Sequence, residues 1–184
     1  MFADNTLTPK EAIRLCALGT LAQADEPLHY AQLAAEIRHF TSRITGPSLD
    51  IMGTSIELLK YEGLIKAVDG VGMEDDATLI LTDKGRSALN ILMTSRIRAQ
   101  GSEVNKLITT LKLRFLHMLS QPEQAHQIDL LIESVETELN RLDDLHASHE
   151  NDPGHLSAWL KHDITQLENH LAWLEGLRER VSSA

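Results

Sequence analysis

The sequence predicts a mostly α-helical protein with one small β-ribbon near its middle, and three observations carry that expectation. Apolar residues recur at helical spacing through most of the chain. Between Glu62 and Leu81 the pattern changes to two short β-rich runs around a Gly/Asp-rich tip, Asp69 to Asp76. After Ser120 two long stretches show apolar residues alternately four and three apart. At 184 residues with 42% hydrophobic content, the chain has enough apolar material for one domain or two small ones.

The elements follow in order. Thr8-Pro9-Lys10-Glu11 starts a helix, with Thr8 as N-cap, Pro9 in the first turn and Glu11 closing a capping box. Ile13, Cys16, Ala17 and Leu21 keep helical spacing until Ala24-Asp25-Glu26-Pro27. A second helix carries Tyr30, Leu33, Ala34 and Ile37 on one face. Gly46-Pro47-Ser48 breaks the chain, and Ser48 is placed to cap a third helix running to Glu62, with Leu49, Met52, Ile56 and Leu59 as its buried stripe. Gly63 ends that helix as a C-terminal glycine. Leu64 to Val68 and Thr78 to Leu81 read as two strands, and Thr82-Asp83 starts the next helix through Leu89 and Leu92.

Three helices, a strand, a wing, a second strand and a helix make a winged helix-turn-helix, expected over residues 1–90. Residues 91–184 are expected to form a helical dimerisation domain. Gly101-Ser102 interrupts its first helix, a segment from Val104 to Leu119 follows, and Ser120-Gln121-Pro122-Glu123 restarts the chain. Ile128, Ile132, Val135, Leu139 and Leu142 then form one seam. Asp152-Pro153 reads as the start of the last helix, whose seam is Leu160, Ile164, Leu167, Leu171 and Leu174. Two such helices joined by a short polar loop fold back as long antiparallel partners. Their apolar surface exceeds what one hairpin covers, which points to a homodimer. Phe115, Ile132, Leu139, Trp159, Leu171 and Trp173 are the expected dimerisation residues.

Part of the chain resembles the PadR family of transcriptional regulators, in its AphA-like branch. Gly63-Leu64-Ile65 and Leu81-Thr82-Asp83-Lys84-Gly85-Arg86-Ser87-Ala88-Leu89 are similar to the family's Gly-Leu-Ile and Leu-Thr-x-x-Gly-Arg-x-x-Leu around the wing. Lys112-Leu113-Arg114-Phe115 with Leu119 resembles its Lys-x-x-Phe-x-x-x-Leu segment. Trp159 to Ile164 and Leu171 to Leu177 look like its terminal helix. The family's Gly-Thr-Leu-Tyr falls on Asp50-Ile51-Met52-Gly53, so its signature tyrosine is absent. The resemblance spans roughly residues 10 to 180. It implies a dimeric DNA-binding regulator on a double-stranded operator. Some relatives bind small aromatic effectors between subunits, so it also implies a small-molecule effector of unknown identity.

Charge opposes a strong nucleic-acid field. The net charge is −10, and dividing the chain after Asn90 leaves 8 basic against 13 acidic residues, then 9 against 14. The third helix offers no Arg, Asn or Gln for bidentate base contacts, and the wing carries Asp69, Glu74, Asp75 and Asp76 without a cation. Arg43, Thr54, Ser55 and Lys60 are the expected DNA-binding residues, Thr54 and Ser55 on the exposed face and Arg43 and Lys60 toward phosphates. The alternative is a protein-interaction module that keeps the winged-helix fold without sequence-specific DNA binding.

No catalytic constellation, phosphate loop or Cys-x-x-Cys occurs, and no cofactor or metal is expected. His146, His149 and His155 are the nearest approach to a metal template, and they lie in or beside a polar loop. The single cysteine, Cys16, sits in an apolar helical pattern and suits a reducing compartment. With neither a leader nor a long apolar run, the expected location is the cytoplasm, without membrane contact.

Overall fold

The computed structural model describes residues 7–45, 52–68, 77–96 and 103–183. Contacts divide the chain into two compact units, residues 1–118 and 119–184. This contact division falls later than the boundary expected after Asn90. Helix α4 (Asp83–Thr94) packs against α1 (Pro9–Gln23), and α5 (Glu103–Phe115) packs against both α1 and α2 (Tyr30–Thr45). All four belong to the first unit.

In that unit α1 is the central helix. Its capping box forms as the residues predict: the Thr8 amide donates to Glu11 Oε2 at 2.7 Å, and the Glu11 amide donates to Thr8 Oγ1 at 3.3 Å. Its interior positions are buried almost all round, because α2, α3 (Met52–Tyr61), α4, α5 and the sheet surround it. Ile13, Leu15 and Leu18 from α1, Leu33 and Ile37 from α2, and Ile56 and Leu59 from α3 are fully buried. Each such side chain contributes about 1.5–3 kcal/mol through the hydrophobic effect. Burial also pushes the Cys16 thiol up to about 11, so it stays protonated at neutral pH.

The sheet has three strands in the order β1-β3-β2, all antiparallel: β1 (Leu28–His29), β2 (Ile65–Ala67) and β3 (Thr78–Leu81). Strand β1 is an addition to the two expected strands, and it pairs Leu28 with Leu79 across the chain. The opposite edge pairs Ile65 with Leu81 and Ala67 with Leu79. The wing tip between β2 and β3 lies outside the described residues, as does the expected cap Ser48.

In the second unit, α6 (Gln121–Ser148) and α7 (Leu156–Ser183) pack along their lengths as a helical hairpin. The Ser120 amide and hydroxyl both donate to the Glu123 carboxylate, at 3.0 and 2.6 Å, and these bonds hold its pKa below the usual carboxylate value. Ile128, Val135, Leu142, Leu160 and Leu174 of the seam are buried, whereas Ile132, Leu139, Ile164, Leu167 and Leu171 are half-buried. The expected start of α7 at Asp152-Pro153 is corrected to Leu156. Asp152 Oδ1 accepts from the Gly154 amide at 3.0 Å, forming a local turn, and helical bonding begins with the Trp159 amide on the His155 carbonyl.

Candidate nucleic-acid interface

Helix α3 is held at its C-terminal end by a hydrogen-bonded knot. Gly63 takes φ +72°, a left-handed conformation open to glycine, and turns the chain from α3 into β2. Thr82, the N-cap of α4, reaches back to that turn. Its hydroxyl lies 2.8 Å from the Gly63 carbonyl oxygen and 3.0 Å from that of Leu64, and accepts from the Gly85 amide at 3.0 Å. Lys84 Nζ donates to the Glu62 carbonyl at 2.8 Å. Arg14 of α1 pairs with the Glu62 carboxylate at 2.8 Å. The motif residues from Gly63 to Gly85 thus fix where α3 ends relative to the sheet and α4.

The exposed face of α3 carries Glu57, Leu58 and Tyr61, opposite the buried Ile56 and Leu59. Thr54 and Ser55 fall within α3, and their side chains lie outside the described residues. Arg43 is exposed in the last turn of α2, and Lys60 is half-buried in the last turn of α3. Arg38 on α2 and Lys66 on β2 are exposed as well. Among the described residues none of these four cations forms an ion pair. Helices α2 and α3 and strand β2 together carry these four cations against two carboxylates, Glu36 and Glu57.

The division at residue 118 also redistributes charge. Residues 1–118 hold 13 basic and 14 acidic residues, whereas residues 119–184 hold 4 and 13. Nearly all of the net negative charge belongs to the α6–α7 unit, and the winged-helix unit is close to neutral. The electrostatic obstacle expected from dividing the chain after Asn90 is smaller than it looked.

The expected dimerisation residues do not share one environment. Phe115 is fully buried in the first unit, where its ring lies against Gly19 of α1 and the Arg114 guanidinium sits 5.0 Å from its centroid. Ile132, Leu139 and Leu171 are half-buried on the hairpin. Trp159 and Trp173 are 59% and 49% exposed, each beside a histidine on α7, with ring centroids 6.1 Å apart for Trp159–His162 and 6.3 Å for His170–Trp173.

One charged side chain escaped sequence reasoning. Lys112 is only 2% exposed and donates through Nζ to the carbonyl oxygens of Met93, at 2.7 Å, and of Ser95. Burial lowers its pKa to about 8. The ammonium satisfies carbonyls at the end of α4, so its role is structural. Among the described residues no His, Cys, Asp or Glu cluster is arranged to hold a metal ion, and no helix is long and apolar enough to cross a membrane.

Comparison with known proteins agrees with this organisation. A family profile described as "Putative AphA-like transcriptional regulator" matches residues 2–178. No curated protein matches significantly. Among solved structures, Bacillus subtilis PadR in complex with operator DNA is 16% identical with a TM-score of 0.36, over 91% of this chain and 98% of that one. A second structure of Bacillus subtilis PadR is 17% identical with a TM-score of 0.37, over 96% of this chain and 98% of that one. Such scores carry no argument about detailed geometry. The profile spans nearly the whole chain, both the winged helix and the helical hairpin, and on that ground the protein belongs to the AphA-like family of transcriptional regulators.

Proposed function

We propose that the protein binds double-stranded operator DNA as a homodimer, with α3 of each protomer entering a major groove and the α6–α7 hairpin joining the two copies. The supporting observation is the local charge around α3. Arg38, Arg43, Lys60 and Lys66 lie on α2, α3 and β2 of a near-neutral unit, while the acidity is concentrated in residues 119–184. In this reading Arg43 and Lys60 contact phosphates, and Thr54 and Ser55 contact base edges or the backbone. Residues 1–118 form the DNA-binding unit and residues 119–184 the dimerisation unit. Exposed Trp159 and Trp173 supply the aromatic surface for self-association. The protein acts by binding alone, without catalysis, in the cytoplasm, and responds to a small-molecule effector.

Selection of duplexes from a random pool tests this reading. The expected product is a pseudo-palindrome with half-sites about one helical turn apart, or a multiple of it. Enrichment of no sequence by folded, dimeric protein at low salt would favour the interaction module.

A further inference from the structure

Helix α3 presents an apolar surface where a base-reading helix ordinarily carries hydrogen-bonding side chains. Leu58 is 44% exposed and Tyr61 90% exposed, although the same helix buries Ile56 and Leu59 almost completely. At about 100° per residue, Leu58 and Tyr61 lie within about 60° of each other and face away from that buried pair. In residues 1–118 the other large exposed apolar side chains among the described residues are Val68 and Ile91, so half of this set lies on one ten-residue helix. Leaving two such side chains in water forgoes burial that an apolar partner supplies.

Three partner chemistries fit an exposed Leu–Tyr face: a second copy, another protein, or the thymine methyls that line the major groove. The surrounding charge selects among them. The four cations on α2, α3 and β2 outnumber the two carboxylates there, and the Glu62 carboxylate at the end of α3 is already paired with Arg14 at 2.8 Å. An apolar pair on α3, with an excess of cations on α3 and the two elements that contact it, matches phosphates flanking methyl-bearing base edges.

We infer that Leu58 and Tyr61 are specificity-determining side chains of α3 and that they read thymine C5-methyl groups by apolar contact. This rests on the DNA-binding reading above and adds the class of base that is recognised. Thymine is the one base that projects a methyl into the major groove, so such a face separates T·A from C·G without a bidentate hydrogen bond. Tyr61 adds a hydroxyl beyond its ring, placed to donate to a phosphate oxygen while the ring covers the methyl.

The test uses the full-length protein and the duplex it enriches from a random pool. Each thymine is replaced singly by deoxyuridine, which removes the methyl and preserves every hydrogen-bonding group. At one or two positions per half-site, fluorescence anisotropy should show affinity falling about fourfold, the effect of one buried methyl-sized group. In Leu58→Ala the difference between thymine and deoxyuridine duplexes should vanish at the position Leu58 covers. In Leu58→Ala/Tyr61→Ala it should vanish at every sensitive position. Both side chains are solvent-facing in the protomer, so circular dichroism should show unchanged thermal unfolding. Indifference of the parent protein to every methyl overturns the inference but leaves DNA binding in place, as does undiminished sensitivity in the double variant. Failure of the folded protein to enrich any duplex overturns the DNA-binding reading itself.

Discussion

Gly85 of α4 packs so closely on Leu64 that a Cβ at position 85 would overlap the Leu64 carbonyl oxygen, with Leu81 Cδ1 at 2.8 Å on another side. That carbonyl is engaged already: it accepts from the Thr82 amide at 3.1 Å and lies 3.0 Å from the Thr82 hydroxyl. Glycine at 85 lets α4 approach the turn that ends α3, and Thr82 binds the approach.

Substitutions there should damage the protein through packing. Gly85→Ala forces the α4 backbone away from Leu64, and overpacking of this kind costs about 1–3 kcal/mol. Thr82→Val removes the N-cap acceptor for Gly85 and the hydroxyl contacts to Gly63 and Leu64, a loss of about 1–2 kcal/mol. Urea unfolding monitored by circular dichroism should show lower midpoints for both, with Gly85→Ala at least as low as Thr82→Val. A Gly85→Ala midpoint equal to that of the parent would refute the close-packing argument.

Local signals in the sequence were read well, and partners distant in sequence were not. The Thr8 capping box, the helix-ending Gly63, the helix restart at Ser120 and the Thr82 cap each depend on a few neighbouring residues, and each forms. Strand β1 has two residues and exists because Leu28 finds Leu79, a pairing no local pattern announces. Asp152-Pro153 has the composition of a helix start, yet Asp152 spends its side chain on the Gly154 amide. Phe115 was expected among the dimerisation residues, and only packing on α1 shows that its environment is the first unit. The burial of Lys112 depends on the end of α4 arriving beside it. Within the candidate site, the exposed face of α3 was legible from spacing, whereas the charge asymmetry emerged once the boundary moved to residue 118.

Lys112 makes stability depend on pH above neutrality. Its folded pKa of about 8 lies below its unfolded value of 10.5, so the folded state holds fewer protons between those limits. The cost of burying the charged ammonium is fully present below pH 8 and is relieved as pH rises toward 10.5, on the order of 3 kcal/mol in total. Cys16 acts oppositely: its folded pKa of about 11 exceeds its ordinary 9.0, so its contribution falls through that range. In a Cys16→Ala background the urea midpoint should therefore rise between pH 8 and 9.5, and in Cys16→Ala/Lys112→Met the rise should be smaller. Equal pH dependence in the two proteins would remove Lys112 as its source.

Self-association should depend on the exposed aromatic face of α7. Analytical ultracentrifugation at low micromolar concentration should give about twice the chain mass for the parent. Trp159→Ala and Trp173→Ala should shift the population toward monomer without unfolding the hairpin, because both side chains are half or more exposed in the protomer. Because residues 119–184 carry 13 carboxylates against 4 cations, association should strengthen as added salt screens the repulsion. A stable monomer for the parent protein at that concentration would contradict the dimer.

DNA binding should show a bounded salt dependence. Four cations on each of two protomers limit the slope of log affinity against log salt to about −7, at about 0.9 per neutralised phosphate. Arg43→Glu or Lys60→Glu should weaken binding to every sequence alike and lower the slope by about 2, since each removes two phosphate contacts per dimer. A parent slope steeper than about −8 would reveal a cationic surface beyond these residues.

Hydroxyl-radical footprinting of the enriched duplex tests the central claim most directly. Two copies of α3 in successive major grooves should protect two backbone patches on one face of the duplex, related by two-fold symmetry and about one helical turn apart, or a multiple of it. Leu58→Ala should leave that spacing unchanged and Lys60→Glu should weaken both patches equally. A single patch, or protection without two-fold symmetry, would contradict a symmetric dimer reading DNA through paired α3 helices.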